Sequence, residues 1–312
     1  MQNVQSEQSE VAATGWRTGT VFESWLVRSR EQVEDALAAH LKEIEAGLGT
    51  HSRLADAVLY SVKAGGKRLR PILVLEACRA CGGRAETALP AALAVELIHT
   101  FSLIHDDLPA MDDDDLRRGQ PTNHKVFGEG LAILAGDWLA THALGLVAGV
   151  RIGPARMPRL LQALVDGTER MIAGQAADIE GEGRPADREL VRYIHRHKTA
   201  ALLETCCRLG AICGGASEEP TEALARYGQH LGLAFQITDD LLDATGSVEQ
   251  TGKQVRKDAA ASKQTYPAAF GLDESRAQAG REIEAALQAL APFGSRADRL
   301  RELAQHMIER SA

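Results

Sequence analysis

Nine of the chain's 18 aspartates fall in two short segments, Asp106–Asp115 and Asp239–Asp243. In FQITDDLLD, Gln236, Asp239, Asp240 and Asp243 stand at i, i+3, i+4 and i+7. One face of a helix there is polar, while Phe235, Ile237, Leu241 and Leu242 pack away from it. Like charges about 4 Å apart repel by roughly 4 kcal/mol at an effective dielectric of about 20, so such a cluster persists only with a cation or protons among its oxygens. In HTFSLIHDDLPAMDDDD the same residue type gathers at a predicted helix end. There Pro109 breaks regular winding and lets Asp112 swing back toward Asp106 and Asp107. Oxygen ligands without Cys or His point to Mg²⁺ or Mn²⁺ rather than zinc. Neither segment has the alternating acids, central Gly and closing Glu of an EF-hand.

Basic residues flank both acidic segments: GGKRLRP (Gly65–Pro71) upstream of the first, Arg117-Arg118-Gly119 directly after it, and Lys253, Lys257 and Lys263 after the second. Carboxylates repel a diphosphate unless divalent cations bridge them, whereas Lys and Arg bind phosphate oxygens directly, so the two sets could grip two anionic groups in different ways. GGKRLRP lacks the GxxxxGK[ST] pattern, and no GxGxxG follows a predicted strand, so ATP and dinucleotide chemistry have no support. His105-Asp106 is an HD pair, which makes a metal-dependent phosphohydrolase a rival class. That reading leaves Asp239–Asp243 and the cations unexplained.

The elements that must position these groups are helical. Apolar residues recur at three- and four-residue spacing from about residue 22, which predicts helices near 22–47, 52–64, 70–81, 87–107, 124–148, 156–178, 187–214, 220–244, 262–270, 273–291 and 296–310. Aromatics are only 4% of the 312 residues and β-branched runs are scarce, which disfavours sandwiches and barrels. The breaks are short, so one helical domain over 21–312 is expected behind a polar tail at 1–20 with no signal-peptide core. Lys+Arg 35 against Asp+Glu 43 gives a net charge of -8, which argues against nucleic acid or an anionic membrane as partner. Residues 131–150 reach bilayer length but carry Asp137 and His142, and are expected as a buried core helix rather than a membrane span. Five cysteines without framework spacing point to a reducing, cytoplasmic setting, with Cys78 and Cys81 of the single CxxC as buried small side chains.

Taken in order, GGKRLRP, ELIHTFSLIHDDLPAMDDDDLRRGQPTNHKVFGE, GQAAD, HKTAALLE, FQITDDLLD and the GK…KD…K-TYP segment resemble the trans-isoprenyl diphosphate synthases, over roughly residues 60–272. Within that family the short-chain farnesyl and geranylgeranyl diphosphate synthases are the nearest type. The resemblance implies an all-α, single-domain helical bundle around a deep central cavity, in a homodimer, which condenses isopentenyl diphosphate with an allylic diphosphate.

It also implies roles. Asp106, Asp107 and Asp112, with Asp239, Asp240 and Asp243, match the positions that hold three Mg²⁺ ions on the allylic diphosphate. Lys67, Arg70, His99 and Arg118 match the isopentenyl diphosphate pocket. Arg117, Lys198, Thr199, Gln236 and Lys253 match positions that contact or cover the allylic diphosphate. Phe101, with Ser102 beside it, matches the chain-length position. It lies five residues before Asp106, about 7.5 Å along a helix, and an aromatic there favours a C15 product over C20. The chain ending IERSA lacks a basic cluster.

Overall fold

The structure, a computed structural model, describes residues 20–49, 53–245 and 263–309. The polar tail, Lys253 and Lys257 lie outside them. Among the described residues nearly all regular structure is helical, and the chain forms two compact units: residues up to Ile72 with Leu89–Val150, and Leu73–Ala88 with Arg151 onward. Two of the three boundaries fall within helices, α3 (Leu69–Ala80) and α4 (Ala85–Asp106).

In the first unit, α1 (Val21–Leu48) starts at a capping box. The Glu23 backbone N–H donates to Thr20 Oγ1 at 3.1 Å and Thr20 N–H to Glu23 Oε2 at 2.8 Å, which satisfies two otherwise orphaned donors. Leu26, Val33, Leu37, Leu41 and Ile44 form its buried stripe. The shorter α2 (Arg53–Lys63) packs on α1, on α5 (Asn123–Phe127) and on α6 (Glu129–Ala148). Between α4 and α5 the acidic loop leads into a two-stranded ribbon, β1 (Leu116–Arg117) antiparallel to β2 (Gln120–Pro121), with Arg117 opposite Gln120.

The predicted helix over 124–148 is interrupted at Gly128, which at φ 88° ends α5 and begins α6. Both α4 and α6 are long and apolar enough to cross a bilayer by length and composition. Most of α4 is buried. In contrast to the expectation of a core helix, α6 buries one stripe, Ala132, Ala135, Leu139, Ala143 and Val147, and exposes Ile133, Leu134 and Leu144. It carries more apolar residues than a single stripe can cover.

The second unit is built on α7 (Met157–Gly181), α8 (Arg188–Ile194), α9 (Ala201–Cys213), α10 (Glu218–Thr245), α11 (Tyr266–Phe270), α12 (Leu272–Ala289) and α13 (Asp298–Glu309). The predicted helix 187–214 contains a π-helical turn, His195–Ala200, between α8 and α9. This turn is wedged between two glycines. A Cβ on Gly174 of α7 would lie 2.1 Å from Lys198 N, and one on Gly232 of α10 would lie 2.5 Å from Ala200 Cα. The predicted 262–270 helix begins at Tyr266, capped by Thr265. All five cysteines are free thiols, and burial pushes Cys78 and Cys81 up to about 11, which makes them poor thiolates and poor metal ligands.

Candidate active site

Each unit holds one acidic segment with its own cations. In the first, α4 delivers Asp106, half-buried, and Asp107, only 3% exposed. Past Pro109 the chain folds back on the helix end. The Asp112 N–H donates to Asp106 O at 2.8 Å, Asp113 N–H to Leu108 O at 3.1 Å and Asp114 N–H to Asp107 O at 3.2 Å. The return of Asp112 toward Asp106 and Asp107 therefore takes place, held by backbone hydrogen bonds. Arg117 on the ribbon places Nε at 2.6 Å and Nη2 at 2.5 Å from Asp107 Oδ1, and Nη2 at 3.4 Å from Asp114 Oδ2. Burial pushes the Asp107 carboxyl above its ordinary range; Arg117 opposes the shift, while Asp114 and Asp112 add to it.

Beside this lies a cationic group. Arg68, 2% exposed, is spent internally: Nη1 meets Glu96 at 2.6 Å, Nε meets Glu34 at 2.8 Å and Nη2 donates to Val62 O at 2.8 Å. It pins the GGKRLRP turn, leaving Lys67 and Arg70 half-buried on either side. The guanidinium of Arg118 rests over Gly66, where a Cβ would come within 2.9 Å of its Cζ. His99 is held well below its ordinary value, first by loss of water around the ring and then by Arg70, Arg118, Arg117 and Arg68. Arg68 and Arg117 are committed to carboxylates, so any attraction of this surface for an anion comes from Arg70 and Arg118.

Phe101 is 8% exposed and meets His105 edge-on, with ring centroids 5.5 Å apart; Ser102 Oγ donates to His99 O at 2.9 Å. His105 Nε2 lies 3.0 Å from Ile133 O. The HD phosphohydrolase reading still leaves Asp239–Asp243 and the cations beside both acidic segments without a role.

In the second unit the polar stripe of α10 divides. Asp239 is exposed and Asp243 half-buried, whereas Asp240 is 4% exposed with both oxygens engaged. Its Oδ1 accepts from Gln236 Nε2 at 2.9 Å; its Oδ2 accepts from Tyr266 N–H at 2.8 Å and lies 3.2 Å from His195 Nε2. The π turn extends this network, because Thr199 Oγ1 donates to Gln236 Oε1 at 2.7 Å and Lys198 Nζ meets Asp178 Oδ2 at 2.6 Å. Gln175, one turn before Asp178 on α7, is buried with no partner on either amide atom.

The structure thus brings Asp106, Asp107, Asp112 and Arg117 into one cluster, Arg70, His99 and Arg118 into another, and Lys198, Thr199, Gln236 and Asp240 into a third. His195, Tyr266, Asp178 and Gln175 escape a reading by residue type. Three of them stand inside the quoted GQAAD and TYP motifs, and His195 stands two residues before HKTAALLE. Among the described residues no three His, Cys, Asp or Glu side chains are grouped to hold a metal ion by themselves. Pairs of carboxylates suit Mg²⁺, which is held by one or two carboxylates and completes its octahedron with water and substrate phosphates.

A family model described as polyprenyl synthetase matches residues 51–303, a stretch that runs through both units. A farnesyl diphosphate synthase of Geobacillus stearothermophilus is 48% identical over 85% of this chain and 89% of its own length. Geranylgeranyl pyrophosphate synthase 12, chloroplastic, of Arabidopsis thaliana is 46% identical over 88% and 77%. Among solved structures, geranylgeranyl pyrophosphate synthetase from Pyrococcus horikoshii Ot3 superposes with a TM-score of 0.85 at 31% identity, covering 93% of this chain and 99% of that one.

Proposed function

The chain belongs to the polyprenyl synthetase family, and on that premise we propose that it is a short-chain prenyltransferase that joins isopentenyl diphosphate head-to-tail to an allylic diphosphate. The observation that carries this reading is that each unit sets an aspartate pair with one buried, anchored member, Asp107 on Arg117 and Asp240 on Gln236, His195 and Tyr266, beside less buried carboxylates. Asp106 and Asp112 of the first unit, and Asp239 and Asp243 of the second, are the carboxylates that would hold magnesium. Asp107 and Asp240 support them through Arg117 and through the Gln236, His195 and Tyr266 donors. Magnesium bound there supplies positive charge to the departing diphosphate.

The chain's own residues do the rest. Arg117 and Lys198 stabilise charge that builds on the leaving group as the allylic C–O bond ionises, so no protein nucleophile is required. Thr199 and Gln236, tied to each other, fix that face, and Lys253 is assigned to the same diphosphate. Lys67, Arg70, His99 and Arg118 orient isopentenyl diphosphate, whose double bond attacks the allylic cation. A proton then passes to the released diphosphate.

Phe101 supports a C15 product, since a buried ring five residues before Asp106 leaves little depth for a longer chain. The C20 alternative is kept by the identity to geranylgeranyl enzymes. Residues 21–312 act as one synthase domain, in a homodimer to which the exposed Ile133, Leu134 and Leu144 of α6 offer an apolar face. The free thiols favour a cytoplasmic setting. Incubation with isopentenyl diphosphate and C5, C10 or C15 allylic primers, followed by chromatography of the dephosphorylated products, tests the reading. A C15 alcohol from the C5 and C10 primers is expected. Release of inorganic phosphate without condensation would refute it.

A further inference from the structure

The ribbon that carries Arg117 and Arg118 is only four residues of strand, yet its turn is costly. Arg118 and Gly119 both have positive φ, 54° and 77°, the pattern of a two-residue hairpin turn whose central positions are usually Asn, Asp or Gly. An arginine in the left-handed region persists only where its surroundings over-determine it. A ribbon of this length cannot do so alone.

The surroundings that do so are a set of polar contacts at and just after the second strand, the buried ones made by Asn123. Asn123, 2% exposed, donates from Nδ2 to Ala57 O at 2.8 Å and to Ser61 Oγ at 2.9 Å, both on α2. Tyr60, on the same helix, donates its hydroxyl to Pro121 O at 2.8 Å. Thr122 closes the other side, with Oγ1 donating to Asp114 O at 2.7 Å and its N–H to Asp115 O at 3.0 Å. Between these contacts and α4 lies a small cavity of about 30 Å³, lined by Tyr60, Thr100, Asp107, Arg117, Arg118 and Asn123 among others. It is too small for a substrate; Arg117 at its edge is tied to Asp107 and Asp114, which leaves Arg118 as the guanidinium whose place depends on the ribbon.

We infer that Asn123, assisted by Tyr60, is a positioning residue that clamps the ribbon to α2 and thereby holds the Arg118 guanidinium over Gly66. The inference rests on the reading that Arg118 grips isopentenyl diphosphate, and goes beyond it by assigning the buried Asn123 amide and the half-buried Tyr60 phenol a share in that affinity.

The test is a double-mutant cycle on KM for isopentenyl diphosphate with Asn123→Ala, Tyr60→Phe and Arg118→Ala, with circular dichroism as the check on folding. Asn123→Ala should raise KM about tenfold, as expected for loss of buried hydrogen bonds, with kcat changed by less than about twofold. Tyr60→Phe should raise it about threefold. In an Arg118→Ala background neither change should raise KM further, because the clamp acts only through that guanidinium. Full additivity with Arg118→Ala, or an unchanged KM in a folded Asn123→Ala enzyme whose Arg118→Ala counterpart has a raised KM, would overturn the clamp. If Arg118→Ala itself leaves KM unchanged, the pocket reading falls and the inference with it. Should Asn123→Ala fail to fold, Tyr60→Phe, which removes one hydroxyl, decides the matter in the same cycle.

Discussion

The two acidic segments reach a similar end by different constructions. Around α4 the third carboxylate is recovered by a loop: Asp112 returns to the helix end through backbone hydrogen bonds to Asp106 O and their neighbours. On α10 no loop is needed, because i, i+4 spacing places Asp239 and Asp243 on one side of an unbroken helix. In both, the second member of the Asp pair is the buried one, Asp107 at 3% and Asp240 at 4% exposure, and it is spent on protein partners, while the first and last members are less buried. The supports differ in kind. Asp107 leans on a single arginine, whereas Asp240 joins α10, the π turn and α11 through three donors. A carboxylate cluster evidently needs an anchored member as well as less buried ones, and the anchor can be a cation or a hydrogen-bond network.

The largest effect that can break this comparison is on turnover. Asp106→Ala and Asp239→Ala should each cut kcat by about a thousandfold or more, through loss of electrostatic stabilisation of the leaving group, with circular dichroism unchanged. Normal turnover in both variants would end the shared role.

Next comes stability. Asp240→Ala strips three donors of their acceptor inside the fold and should cost about 3 kcal/mol in urea denaturation, while Asp239→Ala, at an exposed site, should stay within about 0.5 kcal/mol. Equal losses would mean that the buried and less buried members are not distinct.

A smaller effect concerns product. Phe101→Ala should shift the dephosphorylated products toward longer alcohols with turnover largely kept, and an identical spectrum would remove Phe101 as the floor.

The smallest is a pH effect confined to the first unit. His99, held well below its ordinary 6.5, takes up a proton on unfolding. Its contribution to stability is therefore full above about pH 6.5 and is lost as pH falls from there toward the folded value. His99→Gln should flatten the acid side of a stability profile measured between about pH 5 and 8, and an unchanged slope would contradict the shift.

How much of this was legible in the chain follows from how local each feature is. The all-helical fold, the α10 face and the break at Pro109 are consequences of spacing within a few residues, and the structure bears them out. The π turn was invisible because one inserted residue hardly alters a 3.6-residue pattern, and its cause is distant, the close approach of Gly174 and Gly232. The His195–Asp240 contact joins residues far apart in sequence, so nothing near either one announced it. Nothing within GGKRLRP sets Arg68 apart from Lys67 and Arg70, and only the positions of Glu34 and Glu96 show it to be a strut. Likewise the apolar run at 131–150 gave the helix but not which side of it would be covered.

The central claim, that these carboxylates act on diphosphate through a bound divalent cation, is tested most directly by following C15 product formation from isopentenyl and geranyl diphosphates after treatment with excess EDTA. No product is expected in chelator, with the rate restored by excess Mg²⁺. An undiminished rate in EDTA would contradict the account.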